Sequence, residues 1–305
     1  MSQFYFVQFI HPGGEHTPQK RDLKNGINRY DWNYKEHRRK FMKVSGQYVN
    51  YNDILSSGEI YFWGEWEPWS MFNSVAGPIP LGDYPHFIHH PIYDFGVKHP
   101  PFINAKYPPT DKKDWHRQNT DPFVFGDNFF YSLCQQSTSN GNSTKMTRLA
   151  PGSIILFGSC KHDNSNNAYF ALDTVFVVSD RRDYSPNTYE KDLSDYIPNN
   201  YDKIMGFEDW LNKTDKLVSY KGASFTNRYK GMYSFVPCKT DGAGGFERAK
   251  LTQQYFNLIS NNLSQRFKAN ASTIEDNIKL WNALRTYLRN EGYFEGVSMN
   301  YTIIP

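Results

Sequence analysis

The residue types best suited to chemistry lie in the segment 61–69, where five aromatic rings flank Glu65 and Glu67. If this segment is a β-strand, alternate side chains share a face, and both glutamates then lie beside Trp63. Aromatic neighbours remove water from a carboxylate and raise its pKa, which suits it to acid/base work on a ring-shaped ligand. The pattern predicts Glu65 or Glu67 as a catalytic acid and Trp63 and Trp66 as ligand-binding rings. The alternative is an edge strand whose tryptophans pack on the core while its glutamates point to water.

A second candidate group has the sequence His-Pro-Gly-Gly-Glu-His at residues 11–16, directly after an apolar run. Loop residues held by a rigid strand commonly form sites, and the two glycines let backbone N–H groups approach a ligand. Glu15 with His11 or His16 would make a proton-transfer pair. We therefore predict all three side chains as catalytic candidates, with a plain glycine-rich turn as the alternative.

The segment 119–123, Asn-Thr-Asp-Pro-Phe, is a third candidate because it places Asp121 where a loop enters a strand. It resembles the Gly-Gln-Asp-Pro-Tyr segment of uracil-DNA glycosylases, in which an aspartate positions water beside an aromatic wall. The resemblance implies a catalytic role for Asp121, and we add Asn119 and Phe125 as candidate ligand contacts. The alternative is an Asx-turn, in which the aspartate side chain bonds to the nearby backbone.

Histidines could also hold a metal, and all nine fall in the first 162 residues. His86, His89 and His90 offer imidazole nitrogens that suit zinc or iron. The region lacks the HExxH pattern or a comparable acid spacing, so we expect no metal. Neither a P-loop, a GxGxxG fingerprint nor a GxSxG elbow occurs, and we expect no cofactor.

The charge is balanced overall but basic near the N-terminus. The chain has 34 Lys and Arg against 31 Asp and Glu, whereas residues 1–43 contain nine basic and four acidic residues. Arg38, Arg39 and Lys40 form the tightest run and are predicted to hold phosphates, which supplies affinity without sequence specificity. The alternative is a solvated helix face.

The composition favours β-structure and binding surfaces, because 17% of the 305 residues are aromatic while the mean hydropathy is -0.70. Cys134, Cys160 and Cys238 are odd in number and far apart, which argues against a disulfide framework and a CxxC zinc site. We find neither a secretory leader nor an apolar window of membrane-spanning length. These features predict a cytoplasmic protein without a membrane partner.

Hydrophobic patterning predicts the elements that position these residues. An apolar run predicts a first strand at residues 4–10, and a short helix is expected at residues 33–44. The aromatic strand covers residues 59–67, and residues 68–122 are expected to form a long functional loop. Three further strands are expected at residues 123–134, 153–160 and 169–178.

The C-terminal part begins with residues 181–200, a polar stretch expected to be a surface linker. Apolar residues at helical spacing predict one helix at residues 251–263 and a second that runs through Leu288. The second opens with Ser272-Thr273-Ile274-Glu275, a capping-box pattern. Short strands and a glycine turn are expected before the helices, at residues 217–220, 232–237 and 242–245.

Residues 123–178 carry a broader resemblance. The stretches Phe-Phe-Tyr-Ser at 129–132, Leu-Ala-Pro-Gly-Ser-Ile-Ile-Leu-Phe-Gly-Ser at 149–159 and Leu-Asp-Thr-Val-Phe-Val-Val at 172–178 resemble strands of PUA-like domains. In that superfamily a Pro-Gly-Asp turn opens a barrel strand, where this chain has Ser153, and the EVE, ASCH and YTH branches bind modified bases in aromatic pockets. The layout also resembles uncharacterised bacterial proteins associated with nucleotide modification. We include Ser159 among the predicted ligand contacts.

The elements predict an α+β fold with a mainly β core, either a PUA-like barrel or a mixed sheet, with long loops and two C-terminal helices. A main β-rich domain with the site is expected at residues 1–180 and an α+β part packed on it at residues 181–305. A single domain is the alternative.

Three functions fit these patterns. The first is an antiviral DNA N-glycosylase that flips out a modified, possibly glucosylated, base and hydrolyses its glycosidic bond. Glu65 is its preferred acid because Glu67 precedes Pro68, where the strand is expected to end. The second is a non-catalytic reader of the same base, which would bind without a titrating acid. The third is a carbohydrate-active or carbohydrate-binding protein, since aromatic platforms with paired acids also suit sugars. The partner is nucleic acid in the first two, and no protein partner is indicated.

Overall fold

A computed structural model describes residues 3–11, 13–18, 29–30, 38–68, 70–80, 82–94, 120–138, 140–163, 167–207, 216–252 and 267–304. In chain order the strands are β1 (Tyr5–Ile10), β2 (Arg29–Tyr30), β3 (Lys40–Val49), β4 (Leu55–Gly64), β5 (Ser70–Ser74), β6 (Phe87–Asp94), β7 (Phe130–Tyr131), β8 (Ile154–His162), β9 (Ala168–Tyr184), β10 (Leu217–Gly222), β11 (Val236–Lys239), β12 (Ala249–Leu251), β13 (Phe267–Ala271), β14 (Phe294–Met299) and β15 (Thr302–Ile304). The helices are α1 (Tyr189–Leu193), α2 (Tyr201–Ile204) and α3 (Ile274–Asn290). The predicted α+β class with a mainly β core is confirmed.

The strands form two mixed sheets. The first sheet has the order β13-β1-β8-β9-β10-β7, with β12 paired to β9. The second has the order β14-β11-β4-β3-β6-β5-β2, with β15 beside β6. Because β14 pairs with β3 as well as β11, strands β3, β4, β11 and β14 close into a ring.

Strand β1 explains how the first site residue is placed. It lies between β8, to which it is parallel, and β13, to which it is antiparallel, so both of its edges are paired. Val7 and Phe9 are buried in the core, as the apolar run predicts. The strand ends at Ile10, and His11 therefore emerges at its carboxyl end.

Strands β3 and β4 form an antiparallel hairpin of ten residue pairs. Its turn is closed by Asn50, whose side-chain oxygen accepts the backbone N–H groups of Asn52 at 2.9 Å and Ile54 at 3.1 Å. The helix predicted at residues 33–44 is wrong for residues 40–44, which belong to β3. Residues 33–37 lie outside the described part of the chain.

The aromatic strand forms, but it is shorter than predicted. Alternation along β4 sends Phe62 into one hydrophobic core cluster and Trp63 into another, because both faces of the strand are covered. The strand ends at Gly64, so Glu65 and Glu67 follow it instead of belonging to it. The strand face that the glutamates were expected to share with Trp63 does not form.

Three other predictions need correction. The expected loop at residues 68–122 contains β5 and β6, which pair antiparallel. Of the strand expected at residues 123–134, only the two residues of β7 are a strand. The expected linker at residues 181–200 begins inside β9 and includes α1, whose Tyr189 and Leu193 are buried. The polar composition of residues 181–200 gave no indication that Tyr189 and Leu193 are buried.

Helix α3 forms where predicted, one residue later at its start. Thr273 is the N-cap and its hydroxyl accepts the backbone N–H of Asp276 at 3.1 Å, while the Asp276 carboxylate accepts the backbone N–H of Thr273 at 3.3 Å. Trp281, Leu284 and Leu288 are buried on one stripe. Of the helix predicted at residues 251–263, Leu251 lies in β12 and the part from residue 253 onward lies outside the described residues.

The division predicted at residues 180 and 181 stays a prediction, although β9 runs across both residues. Among the described residues no helix is both long and apolar enough to cross a lipid bilayer.

Candidate functional site

Side chains from both sheets converge at the carboxyl end of β1. Nδ1 of His11, which follows β1, lies 3.2 Å from Oε2 of Glu65, which follows β4. Nη1 of Arg39, which precedes β3, lies 3.3 Å from the same oxygen. All three side chains are buried. This group, the Glu65 cluster (His11, Arg39 and Glu65), combines a carboxylate, an imidazole and a guanidinium, which three separate sequence segments supply.

The glycine-rich loop brings these segments together. The backbone N–H of His16 donates to the carbonyl of Arg39 at 2.8 Å, and the N–H of Arg39 donates to the carbonyl of Gly14 at 3.0 Å. The loop therefore runs along the start of β3. A Cβ on Gly13 would lie only 1.9 Å from Oγ of Ser159, so glycine is required where the loop crosses β8.

A second pair of charges supports the Glu65 cluster from the first sheet. Oδ2 of Asp173 on β9 accepts Nε of Arg39 at 2.8 Å, and Oδ1 lies 3.3 Å from Nη1 of Arg248. Arg248 also donates to Oγ of Ser159 and to the carbonyl of Gly13, each at 3.1 Å. A continuous chain of opposite charges thus links Glu65 to the glycine loop.

Burial and pairing set the electrostatics of this chain of charges. Burial lowers the pKa of Arg39, but the carboxylates of Glu65 and Asp173 outweigh it and leave the pKa raised. Arg39 therefore stays positive and favours a negative charge on Glu65. The arrangement suits Glu65 to accept a proton or to face a developing positive charge, a different role from the neutral acid that the sequence predicted.

The predicted ligand-binding rings lie inside the core. Nε1 of Trp63 donates to the carbonyl of Phe246 at 2.7 Å, and its ring lies 5.4 Å from the guanidinium carbon of Arg248. Trp66 packs edge-on against Phe125 with ring centroids 4.7 Å apart, and both are essentially inaccessible to solvent. In this conformation Trp66 and Phe125 present no ring face to a ligand.

Glu67 is buried as well. Its backbone N–H donates to Oγ1 of Thr120 at 3.1 Å, which ties the end of the aromatic segment to the segment that contains Asp121. The alternative interpretation, in which Glu65 and Glu67 point to water, is wrong because both side chains are buried.

Glu15 makes a different contact from the one predicted. Its carboxylate accepts Nδ1 of His86 at 2.7 Å and the backbone N–H groups of His86 at 2.6 Å and Phe87 at 2.9 Å. Burial raises the pKa of Glu15 although these donors oppose the shift. Glu15 therefore anchors the glycine loop to β6 through His86, and His11 has Glu65 as its carboxylate neighbour.

The expected basic surface is wrong for two of its three residues. Arg39 and Lys40 are 1% and 0% exposed, and Nζ of Lys40 donates to the carbonyl of Pro68 at 3.1 Å. Arg38 is half-buried and donates to the carbonyl of Glu15 at 3.3 Å. The run faces inward because it opens a strand of the second sheet.

Asp121 organises a turn. Its carboxylate accepts the backbone N–H groups of Ser132 at 3.0 Å, Leu133 at 2.8 Å and Cys134 at 2.7 Å. Burial raises the pKa of Asp121 to about 7, against the effect of these three donors. The partners are more distant in sequence than an Asx-turn requires, and Asn119 lies outside the described residues.

The histidines considered as metal ligands each contact a different partner. Nδ1 of His89 lies 2.8 Å from Oγ of Ser70, and Nε2 of His90 lies 3.5 Å from Nδ2 of Asn73, while His86 contacts Glu15. No group of three or more His, Cys, Asp or Glu side chains suited to a metal occurs within the described ranges.

Sequence reasoning missed Asp173 and Arg248. Asp173 had a usable signal, since it is a charged residue inside the apolar run of β9. Arg248 had none, because its partners Gly13, Ser159 and Asp173 are all distant in sequence.

Two cavities open away from the Glu65 cluster. One, of about 400 Å³, is lined by residues that include Arg181, Tyr184 and Lys216, and the other, of about 480 Å³, by residues that include Glu59 and Asp127. None of the predicted site residues lines either of these two cavities. The candidate site is therefore identified by the converging side chains of the Glu65 cluster and not by a cavity.

The resemblance to PUA-like domains depends on residues 123–178. Within that range β8 and β9 form an antiparallel pair, which many β folds contain. A search of family models, curated proteins and solved structures finds no match to the chain.

Proposed function

We propose that the protein hydrolyses the N-glycosidic bond of a modified base in DNA, with Glu65 and His11 as the reacting pair. One observation supports the proposal most directly. Nδ1 of His11 and Nη1 of Arg39 lie 3.2 and 3.3 Å from the same carboxylate oxygen of Glu65. Glycosidic cleavage passes through an oxocarbenium-like state that a carboxylate can stabilise. Histidine supplies a proton near neutral pH.

In the proposed reaction, Glu65 takes a proton from water as the water oxygen bonds to C1′ of the sugar. The C1′–N bond breaks and its electrons pass to the base, which receives a proton from the His11 imidazolium. The proton on Glu65 then returns to His11 across their contact, which restores both groups. No metal or cofactor is needed for this balance.

The remaining charges position the pair. Arg39 holds the Glu65 carboxylate, and Asp173 holds Arg39 at 2.8 Å. Arg248 fixes the carbonyl of Gly13 in the loop that follows His11. A base flipped out of the DNA stack would reach this loop end, where the open space beside Gly14 allows close approach. We place the activity in cytoplasmic defence against phage DNA, with glucosylated hydroxymethylcytosine as the substrate.

The test incubates the full chain with unmodified DNA and with DNA that contains glucosyl-hydroxymethylcytosine. Released base and abasic sites are measured by mass spectrometry. We expect release from the modified DNA alone and loss of release in Glu65→Gln. Glu59→Gln, an exposed glutamate on β4, is the matched control. Absence of both release and binding on either DNA contradicts the proposal.

A non-catalytic reader of the same base is the second candidate. It is favoured by the burial of Glu65, which is 3% exposed, since a reader needs no water at the carboxylate. Binding of the modified DNA without release, unchanged in Glu65→Gln, would select the reader.

A further inference from the structure

A second group of charges lies near the end of β8, outside the Glu65 cluster. Nζ of Lys161 donates to Oδ2 of Asp83, and Nη2 of Arg248 lies 3.6 Å from the same oxygen. Two cations therefore meet at one carboxylate oxygen. We name these residues the Lys161 cluster (Asp83, Lys161 and Arg248). Since alternate residues of a strand share a face, Lys161 lies on the same side of β8 as Ser159, which Arg248 also contacts.

The carboxylate and the arginine of this cluster are fixed by further contacts. The backbone N–H of Asp83 donates to Oε1 of Glu247 at 2.9 Å. Nη1 of Arg248 lies 3.3 Å from Oδ1 of Asp173, and its Nη2 donates to the carbonyl of Gly13 at 3.1 Å. The guanidinium is therefore held beside the shared carboxylate, and its charge acts on the lysine at all times.

The amine of Lys161 loses its proton more easily than that of an ordinary lysine. Burial lowers its pKa and the charge of Arg248 lowers it further, while Asp83 opposes the shift without cancelling it. Lys43 behaves in the opposite way, because its hydrogen bond with Glu59 at 2.7 Å raises its pKa. A lysine that is desolvated beside another cation is suited to attack a carbonyl carbon.

The reacting groups of the cluster are within reach of solvent. The side chain of Lys161 is 17% exposed and that of Asp83 is 30% exposed. A carbonyl compound can therefore approach the amine from solution, and the carboxylate is already in position to take the ammonium proton.

We propose that Lys161 is an imine-forming lysine that captures an aldehyde, with Asp83 as its proton-transfer partner. Asp83 takes a proton from the ammonium group, and the amine nitrogen bonds to the aldehyde carbon while the carbonyl electron pair passes to oxygen. Asp83 gives that proton to the oxygen, takes a second proton from nitrogen and delivers it as the C–O bond breaks. Water leaves, and the protonated imine remains paired with the Asp83 carboxylate. The step needs neither an oxidant nor a cofactor.

An abasic site in DNA is the aldehyde that we assign to Lys161. Removal of a base leaves a sugar whose ring-opened form carries an aldehyde at C1′. This assignment rests on the proposed function, whereas the imine-forming lysine itself does not. Gly158, three residues before Lys161, accepts the backbone N–H of His11 at 2.8 Å. The lysine is therefore about 10 Å along β8 from the strand position that His11 contacts.

The first test treats the full chain with glycolaldehyde and sodium cyanoborohydride at neutral pH, and peptide mass spectrometry measures the rate at each lysine. We expect Lys161 to react about tenfold faster than Lys43 or more, although Lys43 is more exposed, at 26%. Lys161→Arg keeps a positive charge beside Asp83 but cannot form an imine, so the fast site should disappear. Lys43→Arg is the matched control and should keep it. Equal rates at the two lysines overturn the proposal.

The second test adds sodium borohydride to the protein and an oligonucleotide whose abasic site is prepared beforehand, so it does not depend on base release. We expect a covalent complex on a denaturing gel with the wild type and Lys43→Arg but not with Lys161→Arg. A complex that persists in Lys161→Arg overturns the proposal.

The remaining outcomes separate the lysine from its substrate and from the proposed hydrolysis. Fast reaction of Lys161 with glycolaldehyde but no complex with abasic DNA supports the imine-forming lysine and overturns the DNA assignment. Trapping of the prepared abasic site without base release from modified DNA supports Lys161 and contradicts the proposed hydrolysis. The failure of one proposal is therefore distinguishable from the failure of the other.

Discussion

The buried carboxylates of Glu295 and Glu65 both face arginines, and they do so differently. Oε1 of Glu295 accepts Nε of Arg285 at 3.0 Å and Nε of Arg289 at 2.8 Å, while Oε2 accepts Nε of Arg285 at 3.0 Å and the hydroxyl of Tyr233. Glu65 has His11 and Arg39 at 3.2 and 3.3 Å from one oxygen.

The elements that supply the partners explain the difference. Arg285 and Arg289 lie one helical turn apart on α3, so one face of a rigid helix presents both guanidinium groups to Glu295 and to Asp53. We name this group the Glu295 clasp (Asp53, Arg285, Arg289 and Glu295). The Glu65 cluster instead comes from the ends of β-strands and contains a histidine. Short contacts from a regular element suit a structural role for Glu295, whereas the longer contacts of Glu65 at strand ends, one of them to a histidine, are the basis for proposing a chemical one.

The largest expected effect is on activity, from Glu65→Gln. If the Glu65 cluster is chemical, base release falls by about 10³-fold, or about 4 kcal/mol in the barrier, because the amide cannot take a proton from water. Single-turnover release measured by mass spectrometry provides the rate, and circular dichroism verifies folding. Glu295→Gln, compared per folded molecule, should keep the wild-type rate. Equal losses in both variants would remove the distinction between the two groups.

The next effect concerns Asp121, which burial gives a pKa of about 7 in the folded protein. Its unfolded pKa is near 4, so the folded state favours the neutral form. The resulting stability is fully present below about pH 4 and is lost as the pH rises through 7, by about 4 kcal/mol. Urea unfolding of the wild type and of Asp121→Asn between pH 4 and 8 measures it.

The wild-type free energy of unfolding should fall with pH relative to that of Asp121→Asn, although the variant is less stable overall because it loses backbone acceptors. Parallel pH profiles would show that the three backbone donors keep Asp121 ionised in the folded state. Asp121 would then resemble Glu295, whose charge is satisfied by its donors.

The third effect is on stability, from Glu295→Gln. The change removes the buried partner of Arg285 and Arg289, leaves them only the exposed Asp53 as a counter-charge, and is expected to cost about 3 kcal/mol. Chemical denaturation at neutral pH measures this free energy of unfolding. The matched control is Glu291→Gln, because Glu291 lies just beyond α3 and its replacement changes the local charge without touching the clasp. Gln8→Leu would not serve as a control, since Gln8 lies in the other sheet. A loss below 1 kcal/mol would contradict the structural role of Glu295.

The sequence singled out those parts of the candidate site in which local signals agree with the fold. His11 was identified because an apolar strand precedes a glycine-rich turn, and Glu65 because carboxylates among aromatic rings are uncommon. Helix α3 follows from its cap and its apolar stripe. In each case one short segment contains the whole signal, so no knowledge of distant neighbours is required.

The parts that could not be predicted depend on long-range pairing. The run that contains Arg39 and Lys40 resembles a solvated helix face until its pairing with β4 is known, because burial of a charge depends on its partners. Asp173 and Arg248 are supplied by segments 75 residues apart, and neither segment has a motif. The pairing of Glu15 with His86 is likewise a result of tertiary packing.

The smallest effect is expected from Asp53→Asn. This change tests the exposed carboxylate of the Glu295 clasp separately from the buried carboxylate of Glu295. Asp53 lies 2.5 Å from Nη2 of Arg285 and 2.7 Å from Nη2 of Arg289, but its side chain is 60% exposed. Both arginines lower the pKa of Asp53, so its contribution to stability is present at neutral pH and is lost as the pH falls below about 4. Solvent screening limits that contribution to less than about 1 kcal/mol.

Asparagine suits this test because Asp53 has a φ of 60°, a left-handed conformation that Asn tolerates, so the turn itself is not strained by the change. Urea unfolding at low and high salt should give a small loss that shrinks as salt screens the charge. The loss from Glu295→Gln should persist at high salt, because its charges are buried. If Asp53→Asn costs as much as Glu295→Gln, the clasp depends on exposed charge. Burial would then no longer explain why Glu295 is structural, and the contrast with Glu65 would rest on the histidine alone.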